Sequence, residues 1–181
     1  MPDAKIIKTF TSKKGNPVTF RYPAPEDFEA IWAYACDLAA EDTFVELAKA
    51  PTREEEQEWF TGVLKDIKEG NKTYMAVFVD NAYAGSGEIR RGKGRRKHTG
   101  EVGLSLGSAF RSEGIGTELL RTLVDEGRAS GLRLLTLNCF ETNDAALRVY
   151  EKVGFKKAGV IPGAIAHKDT FVGEVKMYLA L

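Results

Sequence analysis

Apolar positions in this chain recur at two periods, and the switches between them mark out its elements. "KIIKTF" and "VTFRY" are short strand-like runs on either side of the turn-rich "TSKKGNP", which predicts a β-hairpin over residues 5–22. The period then lengthens to that of a helix. Phe28, Ile31, Trp32, Ala35 and Leu38 form one stripe, after Pro25 and two acidic residues suited to a helix start. A second helix begins at Thr52, where Thr52 and Glu55 have capping-box spacing, and its apolar face is Trp59, Phe60, Val63, Leu64 and Ile67. "TYMAVFVD" and "YAGSGEI" predict two strands joined at Asp80 and Asn81, and "EVGLSL" a third. Ile115, Leu119, Leu120 and Leu123 then return to helical spacing. "LRLLTLNCF" is apolar enough for an interior strand buried on both faces. The helix "NDAALRVYEKV" stops at Gly154, and "FKKAGVIPGAI" and "FVGEVKMYLAL" close the chain as strands.

The order ββααβββαβαββ predicts an α/β (α+β) fold: a single mixed, largely antiparallel central sheet with helices on both faces. At 181 residues, with no linker or repeat, residues 1–181 are expected to form one domain. The 26 basic and 26 acidic side chains cancel, so bulk charge points to neither nucleic acid nor membrane. Cys36 and Cys139 fit no metal-spacing or disulfide pattern and read as reduced core thiols, with no metal expected. No apolar run is long enough to span a bilayer, and "MPDAKIIKTFTSKKG" lacks a signal-peptide core, so a cytoplasmic location is expected. "RRGKGRRKH", residues 90–98, packs six cations into nine positions, but no aromatic residue interleaves them to stack on bases. It reads as a solvated loop, open also to docking an acidic substrate or a phosphate.

The candidate chemistry lies in "FRSEGIGTELLRTL". A helix N-terminus carries unpaired N–H groups and partial positive charge, and Gly114 and Gly116 would let an anion approach the backbone closely. The pattern R-x-x-G-x-G is neither a P-loop nor a Rossmann fingerprint. On the residues alone it is either a pyrophosphate-sized cradle or a tight strand-to-helix turn.

Residues 101–181 resemble the GNAT superfamily of acyl-CoA-dependent N-acyltransferases. "RSEGIG" matches its R/Q-x-x-G-x-G/A loop at Arg111, Gly114 and Gly116, and "VGLSL" stands at the splayed strand before that loop, with Gly103 a plausible bulge position. "TNDAALRVYEKVGF" matches N-x-x-A-x-x-x-Y-x-x-x-G-F at Asn143, Ala146, Tyr150, Gly154 and Phe155. The resemblance implies an acetyl-CoA-dependent N-acetyltransferase in which the substrate amine attacks the thioester directly. Acetyl-CoA, the co-substrate, would lie along Leu104, Ser105 and Leu106. Its diphosphate would be wrapped by Arg111, Ser112, Glu113, Gly114, Ile115, Gly116 and Thr117, with Asn143, Ala146 and Tyr150 alongside. Tyr150 would be the general acid to the departing thiolate, against the alternative of a packing tyrosine; Asn143 could equally be an N-cap. For the general base, Glu101 leads, although an ungapped count back from the cradle falls on Gly100. Glu88 and His98 remain candidates, as does no protein base at all. Another branch of the family places a glutamate where this chain has Asn138. Glu41 and Phe44, within "AAEDTFVELAKAP", could line the acceptor pocket. The R-x-x-H stretch and the tail "GVIPGAIAHKDTFVGEVKMYL" further resemble members that acetylate amino acids or related amines such as phosphinothricin. The expected partner is therefore a small-molecule amine, with neither nucleic acid nor membrane. A homodimer is open to it, since family members are often dimers. A protein or peptide N-acetyltransferase and a non-catalytic acyl-CoA sensor are the alternatives.

Overall fold

The computed structural model describes residues 4–41, 44 and 49–181. Eight strands and four main helices occur in the expected order: β1 (Ile6–Thr11), β2 (Pro17–Arg21), α1 (Phe28–Ala40), α2 (Arg53–Lys68), β3 (Lys72–Val79), β4 (Ala82–Arg91), β5 (Thr99–Leu106), α3 (Ile115–Ala129), β6 (Leu134–Phe140), α4 (Asp144–Val153), β7 (Lys156–His167) and β8 (Thr170–Ala180). The strands form one mixed sheet in the order β1-β2-β3-β4-β5-β6-β8-β7. β5 and β6 pair in parallel, while β1–β2, β2–β3, β6–β8 and β7–β8 are antiparallel. Contacts gather into two compact units, Met1–Glu88 with Leu104–Leu119, and Ile89–Gly103 with Leu120–Leu181.

In the first unit, β1 and β2 form the expected hairpin, with Phe10 edge-on to Phe20 at 5.2 Å between ring centroids. α1 buries Phe28, Ile31, Ala35 and Leu38, and Phe28 meets Phe60 of α2. Its start is fixed by Asp27, which accepts a two-pronged contact from Arg21 at 2.8 and 2.6 Å and a third bond from the Ala24 N–H at 2.7 Å. A carboxylate this buried needs such satisfaction. α2 starts in the capping box: Thr52 Oγ1 accepts from the Glu55 N–H, and the Glu55 carboxylate accepts from the Thr52 N–H. Trp59 departs from expectation. It is 42% exposed, because Phe60 and Val63 define the inward face and Trp59 lies at its rim against Tyr74. β3 turns into β4 through Asp80 and Asn81 at φ 49° and 66°, a left-handed pair that matches strand twist.

In the second unit, β6 pairs with β8 over seven residues, Leu134 against Ala180 through Phe140 against Glu174, and β8 pairs onward with β7. β6 is an interior strand, but it is not buried on both faces. Leu135, Leu137 and Cys139 are buried, Leu134 and Thr136 half-buried, and Asn138 exposed. Thr136 and Asn138 make the alternate face polar. α4 is N-capped by Asn143, whose side chain accepts from the Ala146 N–H at 3.2 Å. It ends at left-handed Gly154 (φ 108°), where the Phe155 N–H reaches the Tyr150 carbonyl in a Schellman closure.

Candidate active site and its family

The glycine loop is shaped by left-handed backbone at Ser112 (φ 65°) and Gly114 (φ 84°), on either side of Glu113 and directly before α3. Alternation of this kind turns successive N–H groups toward one concavity, which suits an anion. Ser112 adopts that conformation without being a glycine, the sort of outlier that clusters at ligand sites. The loop is pinned from the β1–β2 turn. The buried Glu113 carboxylate accepts from Ser12 Oγ at 2.8 Å and Asn16 Nδ2 at 3.4 Å, and pairs with Lys14 Nζ at 3.1 Å. The Ser12 hydrogen bond, then Lys14, holds its carboxyl below the usual range. Glu113 was expected among the groups around the diphosphate; its side chain instead faces the turn, leaving only its backbone to the loop.

The two glycines differ. At Gly114, φ is left-handed and an added Cβ would meet Lys13 Cε at 3.3 Å. At Gly116, an added Cβ would meet only Leu106 Cδ1, at an ordinary 3.5 Å. The fold therefore requires glycine at 114 and tolerates a small side chain at 116. Gly114→Ala should cost about 1 kcal/mol of stability, whereas Gly116→Ala in the first turn of α3 should be neutral or stabilising by up to about 1 kcal/mol. Urea unfolding of the two variants checks this, and equal losses would refute it.

The strand leading into the loop is held at three points. Tyr34 of α1 donates its hydroxyl to Ser105 Oγ at 2.9 Å, and burial pushes the Tyr34 phenol up to about 12. Gly85 of β4 approaches so closely that a Cβ there would lie 2.2 Å from the Ser105 carbonyl oxygen. Arg111 donates its Nε to the Leu106 carbonyl at 2.8 Å and a terminal nitrogen to Glu41 at 2.6 Å. Glu41 also accepts from the Ser108 N–H at 3.2 Å. Burial opposes ionisation of Glu41, but the Ser108 and Arg111 bonds outweigh it and lower its pKa. Of the acceptor stretch, Glu41 thus joins the loop, Phe44 is exposed, and residues 42–43 and 45–48 lie outside the described residues.

Within the second unit, β5 pairs with β6 through Thr99, Gly100 and Glu101 against Leu134, Leu135 and Thr136, and the register ends there. Glu101 is half-exposed at this end, accepting from Arg90 at 3.0 Å and Asn138 at 3.4 Å. Gly100 faces the core: a Cβ would come within 2.6 Å of Ile89 and 2.8 Å of Leu132. No glutamate fits at 100, and Glu101 lies on the other face of the strand. Glu88 pairs with Lys72 at 2.8 Å, in the first unit. His98 is exposed, and its carbonyl accepts from the Arg133 N–H. In the "RRGKGRRKH" loop, Arg90 is tied to Glu101 and Arg91 to the Ser130 carbonyl.

On α4, Tyr150 is buried and tilted against Phe155. Burial, with a smaller contribution from nearby Cys139, pushes its phenol well above the ordinary range, so it keeps its proton at neutral pH. Among the described residues nothing hydrogen-bonds its hydroxyl. An open groove of about 490 Å³ on α2, lined by Glu55, Glu58, Trp59, Gly62, Val63, Asp66 and Lys72, includes none of the candidate catalytic, coenzyme or acceptor residues.

Residues 32–155 match the family model described as "Acetyltransferase (GNAT) family". The chain belongs to the GNAT acetyltransferases. It is 29% identical over 154 residues to a Bacillus subtilis (strain 168) protein named "Putative phosphinothricin acetyltransferase YwnH", covering 84% of this chain and 91% of that one. Among solved structures, a GNAT-family acetyltransferase from Streptococcus pneumoniae superposes with a TM-score of 0.80 at 23% identity, over 91% of this chain and 99% of that one. RimL, a ribosomal L7/L12 α-N-protein acetyltransferase solved with coenzyme A, gives 0.82 at 16% identity, over 98% of each chain. At these identities the structures speak to the fold of this GNAT chain. Among its described residues, no helix is long and apolar enough to cross a membrane.

Reading the sequence missed Tyr34, Gly85 and the turn residues that anchor Glu113. Only Gly85 carried a signal, as a glycine inside a strand; the others depend on contacts between residues 71 and 101 positions apart.

Proposed function

We propose that this GNAT chain transfers the acetyl group of acetyl-CoA to the primary amine of a small molecule. The observation that carries the reading is the left-handed pair at Ser112 and Gly114, opening α3 just after a strand whose pairing with β6 ends at Glu101. Strand backbone can pair with an extended ligand, and the loop offers N–H groups to its phosphates.

When bound, acetyl-CoA would supply the electrophilic thioester carbon. Leu104, Ser105 and Leu106 would pair with the pantetheine arm through their backbone, and one N–H there would polarise the carbonyl oxygen. The N–H groups of Ser112, Glu113, Gly114, Ile115, Gly116 and Thr117 would take the diphosphate, with Arg111 beside them. Asn143 caps α4, and Ala146 lies between it and Tyr150 on that helix, alongside the coenzyme in this reading. As the amine nitrogen bonds to carbon and the C–S bond breaks, Tyr150 donates its retained proton to the sulfur. Glu101, oriented by Arg90 and Asn138, accepts the amine proton; Glu88, ion-paired with Lys72, is the alternative base. Glu41 and Phe44 stand on the acceptor side. The likeness to the B. subtilis protein, over most of both chains, supports a small acceptor.

Thermal unfolding with 1 mM acetyl-CoA, beside matched NAD and ATP, tests the coenzyme. For a Kd near 10 μM, mass action supplies roughly 2.7 kcal/mol, a rise in Tm of roughly 5–10 °C. No rise with acetyl-CoA would sink the reading. With binding established, a panel of amino acids, small amines and N-terminal peptides identifies the acceptor. Turnover of peptides alone would replace the small-molecule reading, and binding without turnover would make the chain an acyl-CoA sensor.

A further inference from the structure

The β1–β2 turn brings a run of cations to the glycine loop. The Lys13 N–H donates to the Glu113 carbonyl at 3.1 Å, so turn and loop are joined backbone to backbone. Most cations nearby are already engaged: Lys14 with Glu113, Lys8 with Glu118, and Arg111 with Glu41 and the Leu106 carbonyl. Lys13 differs. Its stem lies along Gly114, with Cγ, Cδ and Cε at 3.5, 3.6 and 3.3 Å from the point a Cβ would occupy. No carboxylate pairs with its ammonium among the described residues. The ammonium is a single C–N bond, about 1.5 Å, beyond Cε. The missing Cβ of Gly114 therefore leaves room for a lysine stem, as well as permitting left-handed backbone.

We infer that Lys13 is a phosphate-binding residue of the coenzyme site, reaching over Gly114 from the β1–β2 turn to a phosphate held at the loop. This rests on the acetyltransferase reading above. Lysine serves as a compact point charge for phosphate, and here it is the cation left uncommitted where its neighbours are neutralised. Coenzyme A offers two kinds of phosphate, the diphosphate and the 3′-phosphate, and Lys13 could serve either with the same chemistry.

Calorimetric titration with CoA and with dephospho-CoA, which lacks the 3′-phosphate, tests this in Lys13→Met, Lys13→Arg and Lys14→Met. Lys13→Met should weaken CoA binding about three- to tenfold at low salt, with Tm unchanged because the side chain is exposed. Lys13→Arg should recover most of the loss, and 0.5 M salt should shrink it. A loss shared by both ligands assigns the contact to the diphosphate; a loss confined to CoA assigns it to the 3′-phosphate. Affinity within twofold of wild type in Lys13→Met overturns the proposal. So does an equal loss in Lys14→Met, which would mean a diffuse field and not a contact. Failure of the wild-type chain to bind either ligand would sink the acetyltransferase reading, and this proposal with it.

Discussion

Tyr150→Phe is expected to lower kcat by about a hundredfold or more, within the range typical of a lost general acid, while leaving Kd for acetyl-CoA near wild type. The ring is buried, so the aromatic volume is kept, and no hydrogen bond to another described residue is lost with the hydroxyl. The variant should therefore fold and melt like the parent. Burial keeps the phenol protonated at neutral pH, which disqualifies it as a base; the same burial makes it a weaker acid, so transfer must be driven by the negative charge that develops on sulfur. A donor is needed only when sulfur leaves with negative charge. The loss should accordingly shrink for an acetyl donor whose thiol is more acidic, an effect that mere misfolding would not produce. Single-turnover rates separate the chemical step from product release. Full kcat in the variant, with wild-type sensitivity to the leaving thiol, would remove Tyr150 from the chemistry and leave it a packing tyrosine.

The parts legible in the sequence are those set by local rules. The Thr52–Glu55 capping box, the left-handed pair at Asp80 and Asn81 and the glycine closure at Gly154 each depend on a few adjacent residues, and each formed where the pattern put it. Faces were harder to read. Trp59 and the outer side of β6 were assigned to the interior because they are apolar or lie in an apolar run. Which side of an element is covered depends on distant neighbours. The loop was legible as a backbone shape, since R-x-x-G-x-G implies bare backbone before a helix. The direction of its side chains was not. Glu113 sits between two left-handed residues, yet its carboxylate is drawn into a turn 101 positions away by Ser12. At Gly100, where an ungapped count from the loop places the family's glutamate, a side chain would run into Ile89 and Leu132, which no local pattern announces.

Gly85→Ala should destabilise the chain by roughly 3–5 kcal/mol, the sum of overpacking and backbone strain. The added Cβ would sit 2.2 Å from the Ser105 carbonyl oxygen and 3.0 Å from Leu106 Cα, and both are main-chain atoms that cannot swing away as a side chain would. At φ 144° the backbone conformation also disfavours any side chain. Relief requires β4 and β5 to separate, and the same stretch of β5 carries the Tyr34 bond to Ser105 and the Arg111 bond to Leu106. Loss of stability should therefore come with weaker acetyl-CoA binding, beyond what a smaller folded fraction explains. Urea unfolding gives the first quantity, and titration at a temperature where the variant is fully folded gives the second. A stability loss under 1 kcal/mol would show that the two strands can part freely. A large stability loss with unchanged affinity would show that the backbone of residues 104–106 is not what the coenzyme reads. If both fall together, Gly85 is the residue that sets the backbone position of residues 104–106, through the close approach of β4 to Ser105.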